Sequence, residues 1–493
     1  MAFALEGPTS IEVKQGESAS LTYSILATSK PYRKVSLSLS GLPTGLTARL
    51  NPISGNPTFS STLTLAASVT APIGTFPIRI MARDAKSSKS MSISIFVVSK
   101  GQTTTIYPAD FYIAPGGNDS WSGSYDSPFA TIQHAHDVMS AGQLCYAHGG
   151  TYPNLSAAQT LTKDGDASHL FKIWAYPGEV PLFDGSSIPT GTGDPNVVSP
   201  IVLLNANYWS LKGLGVTGTK ANGAGFLIYL ASGNILLDQC FAHHGTGTGF
   251  GGYGAAHDLT IQNCDSYFNA NAGSADGFQY SISAGGTNLL TGCRAWRNSD
   301  DGFDFFNVSG DSPWRVDNCW SWDNGFDLSH VHVGDGMGFK LGTSGDVTLT
   351  RCLSWINWGH GFDHNSAAKA CTLYNNTAWN NGDTGFFFAT GTVAHILRNN
   401  AAWNNPTEKN LTGSCVEDHN TWDGAVTVNN SDFASVDPTG SDGARQTDGS
   451  LPVLNFMRLV TGSDLINAGT QTGLPSGVTF LGSNPDMGCF EKE

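Results

Sequence analysis

The chain has 493 residues, of which 13% are charged and 40% hydrophobic, and its formal net charge is −15. This length allows more than one domain and a large buried core. The acidic balance argues against nucleic acid as a partner, because phosphate binding needs basic patches. No run approaches the roughly 18 apolar residues of a membrane-spanning helix, so the sequence predicts no membrane span.

Residues 1–101 alternate apolar and polar side chains in short runs, such as VSLSL at 35–39 and ISI at 93–95. Turn sequences rich in Gly and Pro separate these runs, which together predict an antiparallel β-sandwich. The stretch resembles the immunoglobulin-like modules that bacterial secreted enzymes carry. It has no cluster of catalytic residue types, so we interpret it as a spacer or docking module, with carbohydrate binding as the alternative.

The composition changes after this module, and we assign residues 102–493 to a second domain. Residues 111–152 resemble the opening of bacterial right-handed parallel β-helix proteins, in which a short helix, here expected around 130–140, caps the first coil. From residue 240 onward one motif recurs with a period in the twenties to low thirties, as expected for a solenoid of stacked coils. It is seen in the segments NCDSYFN at 263–269, GCRAWRN at 292–298, NCWSWDN at 318–324 and RCLSWIN at 351–357.

A second motif, Gly-Phe, follows each copy of the first one. We expect the glycine to permit a tight corner and the phenylalanine to turn inward and stack on its equivalents. The cysteines of the first motif share a register with Asn376 and Asn400, so we interpret them as small buried packing residues and not as disulfide or metal partners. The predicted fold is therefore all-β: a right-handed parallel β-helix of about ten coils with an N-terminal β-sandwich.

Four aspartates and one lysine fall within the repeat: Asp276 in SADGFQY, Asp300, Asp301 and Asp304 in NSDDGFDFFN, and Lys340 in GDGMGFKLG. Alignment on the Gly-Phe pairs stacks Asp276 on Asp301 and pairs Asp304 with Lys340, since adjacent coils lie ~4.8 Å apart. Crowded carboxylates repel one another unless a cation neutralises them, and several flexible oxygen ligands suit Ca²⁺ best. The alternative, that each Asp-Gly merely caps a turn, fits one aspartate better than four in register.

This block of DGF, SDDGFDF and GxGFKLG resembles polysaccharide lyase family 9, the pectate lyase type with a parallel β-helix, over about residues 108–493. The resemblance implies that Asp276, Asp300, Asp301 and Asp304 hold a catalytic Ca²⁺ and that Lys340 is the Brønsted base. It also implies an acidic plant polysaccharide as substrate, pectate or rhamnogalacturonan, cleaved by β-elimination to 4,5-unsaturated products. We further expect a secreted or cell-surface bacterial protein that acts as a monomer, although the opening MAFALEG shows no secretory signal.

Other functions remain open for the sequence. A rhamnogalacturonan I lyase would share the site, and a uronan C5-epimerase would abstract the same proton and return it. A β-helix polygalacturonase is suggested by Asp300-Asp301 and by Gly359-His360-Gly361, but a lysine base has no role in hydrolysis by paired carboxylates. An adhesin or tailspike would share the solenoid without needing the lysine.

Sugar-binding residues are less sharply indicated. The segment SWINWGHGFDHN at 354–365 could line a groove with aromatic and polar side chains, or could simply pack in the coil ladders. The substrate-binding candidates that we name from the sequence are Trp358, His364, Asn365 and Arg315.

Overall fold

The computed structural model describes residues 3–7, 10–28, 33–72, 74–98, 107–153, 155–190, 193–308, 312–342 and 346–492. The chain forms two compact units: Met1–Ile106 with Pro177–Glu179 and Thr439–Val453, and Tyr107–Tyr176 with Val180–Pro438 and Leu454–Glu493. The predicted boundary between residues 101 and 102 lies outside the described residues and stays a prediction.

The first unit contains two β-sheets that share one hydrophobic core. One sheet is antiparallel and has the strand order Phe3–Glu6, Ser18–Ala27, Phe59–Ala67, Leu46–Asn51. The other has the order Ser10–Lys14, Ser88–Val98, Gly74–Arg83, Val35–Ser40, Ser54–Gly55, and only its first pair is parallel. Side chains from both sheets, including Tyr23, Ile25, Leu63, Ile80 and Ile93, are fully buried together, which confirms the predicted β-sandwich.

The second unit is a solenoid whose successive coils build three parallel sheets, of twelve, ten and ten strands in the described residues. In the described residues, sheet 1 contains Phe111–Ile113, Leu144–Ala147, Phe171–Ala175, Asn207–Lys212, Gly233–Asp238, His257–Gln262, Asn288–Thr291, Trp314–Asp317, Val347–Thr350, Thr372–Tyr374, Ile396–Arg398 and Val416–Asp418. Sheet 2 contains Gly150–Tyr152, Pro181–Asp184, Gly215–Thr217, Phe241–His243, Asp265–Tyr267, Arg294–Trp296, Trp320–Trp322, Leu353–Trp355, Thr377–Trp379 and Ala401–Trp403. Sheet 3 contains Gln159–Leu161, Ile201–Leu204, Ala224–Tyr229, Thr248–Gly254, Phe278–Ile282, Phe303–Asp304, Phe339–Lys340, Phe362–Asp363, Thr384–Phe388 and Thr407–Leu411. The expected parallel β-helix of about ten coils is confirmed.

Helices are few and short in the described part of the chain. The helix Ile132–Val138 begins after Thr131, whose side chain accepts a hydrogen bond from the His134 backbone N–H, and it lies within the range predicted for the cap. A one-turn helix covers Pro195–Val198, and 3₁₀ turns cover Thr421–Asp423 and Asn430–Asp432. No described helix has the length and apolar character needed to cross a membrane.

Stacked phenylalanines run along the inside of sheet 3 and fix its register. The rings of Phe226, Phe250, Phe278, Phe303, Phe339, Phe362 and Phe386 stack with centroid separations of 4.7–5.0 Å. All of these rings are buried. The inward stacking predicted for the Gly-Phe motif is therefore confirmed, and each ring holds the strand of its coil directly over the next one.

A ladder of buried asparagines holds the corner between sheets 2 and 3. It consists of the last residue of the four motif copies named above and of the equivalent residues five positions after Asn376 and Asn400. Each Nδ2 donates to the Oδ1 of the next member at 2.9–3.1 Å, in the order Asn269, Asn298, Asn324, Asn357, Asn381, Asn405. The same Oδ1 atoms accept the backbone N–H of the preceding member. Because buried amides must be paired, this ladder fixes the turn that leads into sheet 3.

The cysteines behave as the sequence predicts. All nine lie in the described ranges and carry free thiols, and all but Cys415 are buried. Burial raises the pKa of the Cys145 thiol and of the Cys371 thiol, the latter to about 12. The thiols of Cys145 and Cys371 are therefore protonated packing groups.

The glycines of the Gly-Phe motif are needed for a different reason from the one predicted. None of Gly277, Gly302, Gly338, Gly361 and Gly385 has a positive φ angle, so the corner itself would accept other residues. A Cβ atom would instead collide with the next coil, for example with the backbone oxygen of Glu408, 2.7 Å from a Cβ placed on Gly385. Close stacking of the coils, and not corner geometry, thus requires glycine.

We therefore expect Gly385→Ala to destabilise the solenoid by about 1–3 kcal/mol, the usual range for overpacking a tightly filled interior. Gly413→Ala is the control, because a Cβ on Gly413 meets no atom within 4 Å. Thermal unfolding followed by circular dichroism should show a clearly lower melting temperature for the first variant alone. Equal melting temperatures for the two variants would contradict the steric argument.

Candidate active site

The outer face of sheet 3 carries a column of polar side chains next to the inward phenylalanines. Strand register pairs Gln279 with Asp304, Asp304 with Lys340, and Lys340 with Asp363. Since side chains alternate between the two faces of a strand, these residues follow the buried phenylalanines and face the opposite way. The pairing of Asp304 with Lys340 is the one that the repeat predicts.

Three of the four predicted aspartates form one buried cluster. Asp276, Asp301 and Asp304 each offer a carboxylate oxygen, and these atoms lie within 4.8 Å of one another. Asp276 is held by the backbone N–H of Asp301, 3.0 Å from its Oδ1, and by the Gln279 amide, 2.7 Å from its Oδ2. The orientation of the cluster is thus set by the fold before any ligand binds.

The fourth aspartate, Asp300, belongs to an adjoining group. Its Oδ1 accepts the backbone N–H of Asp335 at 2.8 Å, and Asp300, Asp301 and Asp335 bring one oxygen each within 4.8 Å. Asp301 therefore belongs to both groups and links them. Its Oδ1 also accepts the backbone N–H of Met337 at 2.7 Å.

Lys340 lies at the edge of this acidic surface. Its Nζ donates to Asp301 Oδ2 at 2.9 Å and to Asp335 Oδ2 at 3.2 Å. The lysine side chain is only 14% exposed, whereas that of Asp335 is 64% exposed. The amine is thus held in place by two carboxylates, one buried and one exposed.

Burial and mutual repulsion dominate the electrostatics of the cluster. Burial, reinforced by the carboxylates of Asp304 and Asp301, raises the pKa of Asp276 well above its ordinary value. Burial likewise raises the pKa of Asp304 to about 6, although Lys340 opposes the shift. Burial alone would lower the pKa of Lys340, but Asp301 and Asp304 outweigh it and the lysine pKa is raised. In the absence of another cation, the cluster thus retains protons and holds Lys340 as an ammonium.

The cluster fits a hard divalent cation. Its donors are all carboxylate oxygens, the donor type that Ca²⁺ and Mg²⁺ prefer. Asp304 Oδ1 is buried and has no hydrogen-bond partner, which is costly for a carboxylate unless something else compensates it. A cation among Asp276, Asp301 and Asp304 would satisfy that oxygen and relieve the repulsion.

Trp358 lies near the site, as expected for a groove residue. It is 47% exposed, and its ring stacks on His332 with a centroid separation of 3.9 Å. It lines a cavity of about 410 Å³ together with Asp300 and Asp335. Its position suits contact with a bound sugar.

The other three substrate-binding candidates are placed less favourably. His364 is buried, stacks on Phe388 and contacts Thr390 Oγ1 at 3.0 Å through Nε2, so it packs between coils. Asn365 adopts a left-handed backbone conformation and donates its backbone N–H to Asp363 Oδ1 at 2.7 Å, which makes it a turn residue. Arg315 lies on sheet 1 beside Gly477, whereas the acidic cluster lies on sheet 3. We do not retain these three as substrate contacts.

Sequence reasoning missed Gln279 and Asp335, and it placed Asp363 only within a segment that could line the groove. Gln279 and Asp363 occupy the position after Gly-Phe that Asp304 and Lys340 occupy, so the repeat itself contained the signal for both. Asp335 is different, because it precedes its Gly-Phe pair at the end of a long insertion. No periodicity indicated that it would reach Lys340.

Comparison with known proteins assigns the chain to the β-helix polysaccharide lyases. The family model described as Pel9A-like, right handed beta helix region, matches residues 111–404, and the chain belongs to this family. It is 32% identical to pectate lyase L of Dickeya dadantii (strain 3937) over 78% of this chain and 90% of that protein. It is also 32% identical to pectate lyase PEL9 of Emericella nidulans, over 73% of this chain and 94% of that protein.

Two solved structures are similar over most of the solenoid. The crystal structure of pectate lyase Pel9A superimposes with a TM-score of 0.69 at 29% identity, covering 79% of this chain and 98% of that one. A rhamnogalacturonan lyase superimposes with a TM-score of 0.65 at 26% identity, covering 72% of this chain and 97% of that one. The right-handed parallel β-helix and the lyase class predicted from the sequence are thereby confirmed.

The raised pKa of Asp304 predicts an inverted pH dependence of stability in metal-free protein. A carboxyl group whose pKa is higher in the folded than in the unfolded protein stabilises the fold at pH values below its unfolded pKa, which is about 4. This stabilisation is lost as the pH rises through the folded pKa of about 6. The shift corresponds to about 3 kcal/mol at neutral pH, which Asp304→Asn should recover because an amide does not titrate. In chelator, the melting temperature of the variant should therefore rise relative to wild type between pH of about 4 and about 7.

Asp126→Asn, which replaces an exposed carboxylate, is the control and should track the wild type at every pH. A constant difference between Asp304→Asn and wild type across this pH range would show that Asp304 titrates normally.

Proposed function

We propose that this protein is a calcium-dependent pectate lyase, which cleaves the uronate backbone of pectin by β-elimination. The observation that carries the proposal is the position of Lys340, 2.9 Å from Asp301 at the rim of a buried carboxylate cluster. The names of the relatives from Dickeya and Emericella, both pectate lyases, support the same substrate. We also propose that the protein is secreted or displayed at the surface of a bacterium and acts as a monomer.

In this proposal Asp276, Asp300, Asp301 and Asp304 would hold the calcium ion. When bound, calcium supplies charge neutralisation at the uronate carboxylate, which makes the C5 proton more acidic. Gln279 and the backbone N–H groups of Asp301 and Met337 hold the carboxylates in place, so little reorganisation is needed at the moment of reaction.

Lys340 acts as the base in its neutral form. It takes the C5 proton, the C5–H electron pair becomes the C4–C5 double bond, and the C4–O pair leaves with the glycosidic oxygen, which is protonated from solvent. A cation that compensated the charges of Asp301 and Asp304 would remove the effect by which these carboxylates raise the pKa of Lys340. We therefore expect activity to rise with pH and to reach an alkaline optimum.

Rhamnogalacturonan is the second candidate substrate. The observation that favours it is the rhamnogalacturonan lyase that superimposes over nearly its whole length. Both substrates contain a uronate with an abstractable C5 proton, so the same lysine would serve either one. Membership in the lyase family does not favour the C5-epimerase or the polygalacturonase considered above.

We predict that chelation abolishes activity and that added calcium restores it, while the fold survives because stacked phenylalanines and hydrogen-bonded asparagines hold the coils together. Asp301→Ala should weaken calcium binding more than tenfold, since it removes a ligand and a charge from both carboxylate groups. Isothermal titration calorimetry with calcium alone measures this directly.

Asp238→Ala is the matched control, because Asp238 is also buried and paired with a lysine, Lys212, but lies on sheet 1. Calcium affinity of Asp301→Ala within about a factor of two of wild type would mean that the cluster is not the calcium site.

We predict that Lys340→Ala lowers the turnover number by at least about 10²–10⁴-fold, the usual contribution of a general base, while oligouronide binding persists. Lys340→Arg should be nearly as inactive, because a guanidinium remains protonated. The assay follows the ultraviolet absorbance of unsaturated product from polygalacturonate and from rhamnogalacturonan I, which also ranks the two substrates.

Lys212→Ala, which breaks the comparable ion pair on sheet 1, should retain wild-type turnover. Substantial turnover by Lys340→Arg would require a different base.

A further inference from the structure

A second cavity adjoins the acidic cluster on its N-terminal side. It has a volume of about 450 Å³ and is lined mainly by Asn222, Tyr229, Thr248, Tyr253, Ser274 and Gln279. Gln279 belongs to both sites, because its amide also donates to Asp276. A polysaccharide lying along sheet 3 with one residue at the cluster would thus place a neighbouring residue in this cavity.

Two tyrosines form an aromatic wall of the cavity. Tyr229 and Tyr253 are paired in the register of sheet 3, and both pack on a small apolar cluster of Val202, Ala224 and Leu227. The Tyr253 ring lies over Gly251, where a Cβ would come within 3.1 Å of Cε2. In this side-chain conformation the Tyr253 hydroxyl donates a hydrogen bond to Gln279 Oε1. Sugar rings bind to such rigid aromatic surfaces through their C–H faces.

The cavity offers hydroxyl and amide groups but no cation. None of the described residues that line it is a lysine, arginine or histidine. A uronate carboxylate bound there would lose water without gaining an ionic partner. A neutral sugar carries no such penalty and can use the same hydroxyl and amide groups.

We propose that this cavity is a subsite for an uncharged sugar residue, next to the uronate that reacts at the acidic cluster. Two sugars share this chemistry: a neutral deoxyhexose that alternates with the uronate, and a methyl-esterified uronate within pectin. The inference rests on the proposed function and specifies its substrate as a uronan that is interrupted by neutral residues.

The test compares three oligosaccharides: an alternating uronate–deoxyhexose chain, a partly methyl-esterified oligogalacturonate and a fully ionised one. Binding is measured by calorimetry in saturating calcium with the Lys340→Ala protein, because its turnover is expected to be lower by about 10²–10⁴-fold. Either or both of the neutral-containing ligands should bind about tenfold more tightly than the ionised one, and the tighter of the two identifies the source of the neutral sugar.

Variants of the cavity then locate the preference. Tyr229→Ala should remove the tenfold advantage, and Ser274→Arg, which adds a cation at an exposed position of the wall, should shift preference towards the ionised ligand. Tyr125→Ala, which removes a tyrosine that is 53% exposed and is not among the lining residues of the cavity, should change nothing.

Tightest binding of the fully ionised ligand by the parent protein, or an equal loss for all three ligands in Tyr229→Ala, would overturn the subsite. In that case, calcium-dependent release of unsaturated product by wild type would leave the proposed lyase function standing. Absence of both binding and cleavage for every uronide would overturn the two proposals together.

Discussion

The site depends on one constraint, the exact stacking of sheet 3 from coil to coil. The phenylalanine stack on its inner side and the asparagine ladder at its corner hold neighbouring strands in a single register. Once that register is fixed, residues that follow the phenylalanines form one outward column, in which Asp304 and Lys340 are direct neighbours. The glycines that precede the phenylalanines belong to the same constraint, because any Cβ there would push the coils apart.

The rigid register of sheet 3 keeps the carboxylates of the acidic cluster close together, although they repel one another. Three buried carboxylates with oxygens within 4.8 Å of one another are unfavourable without a compensating positive charge. In the metal-free chain Lys340 provides part of that compensation, which is why its pKa is raised and why it is a poor base in that state. The same carboxylates thus control both cation affinity and the protonation of the lysine, which couples metal binding to catalytic competence.

The two cavities beside the cluster differ in character. The one that Trp358 lines includes the carboxylates of Asp300 and Asp335, whereas the described residues that line the other cavity, with Tyr229, are all neutral. A solenoid face allows this difference because each coil contributes its own side chains to an otherwise uniform sheet. Substrate selection along such a face is therefore determined coil by coil, and changes at Tyr229 leave the strands that hold Lys340 unaltered.

The sequence by itself determined the repeat, and with it the parallel β-helix, the buried cysteines, the inward phenylalanines and the pairing of Asp304 with Lys340. These features follow from periodicity, since equivalent positions in stacked coils must become neighbours. Only the tertiary structure decided the contacts that the repeat does not predict. Asp335 reaches Lys340 from a long insertion, and Asp300 belongs to a second carboxylate group. Arg315 lies on another sheet. It also decided that His364 is buried, because a polar residue near a site looks the same in sequence whether its side chain faces the groove or packs between coils.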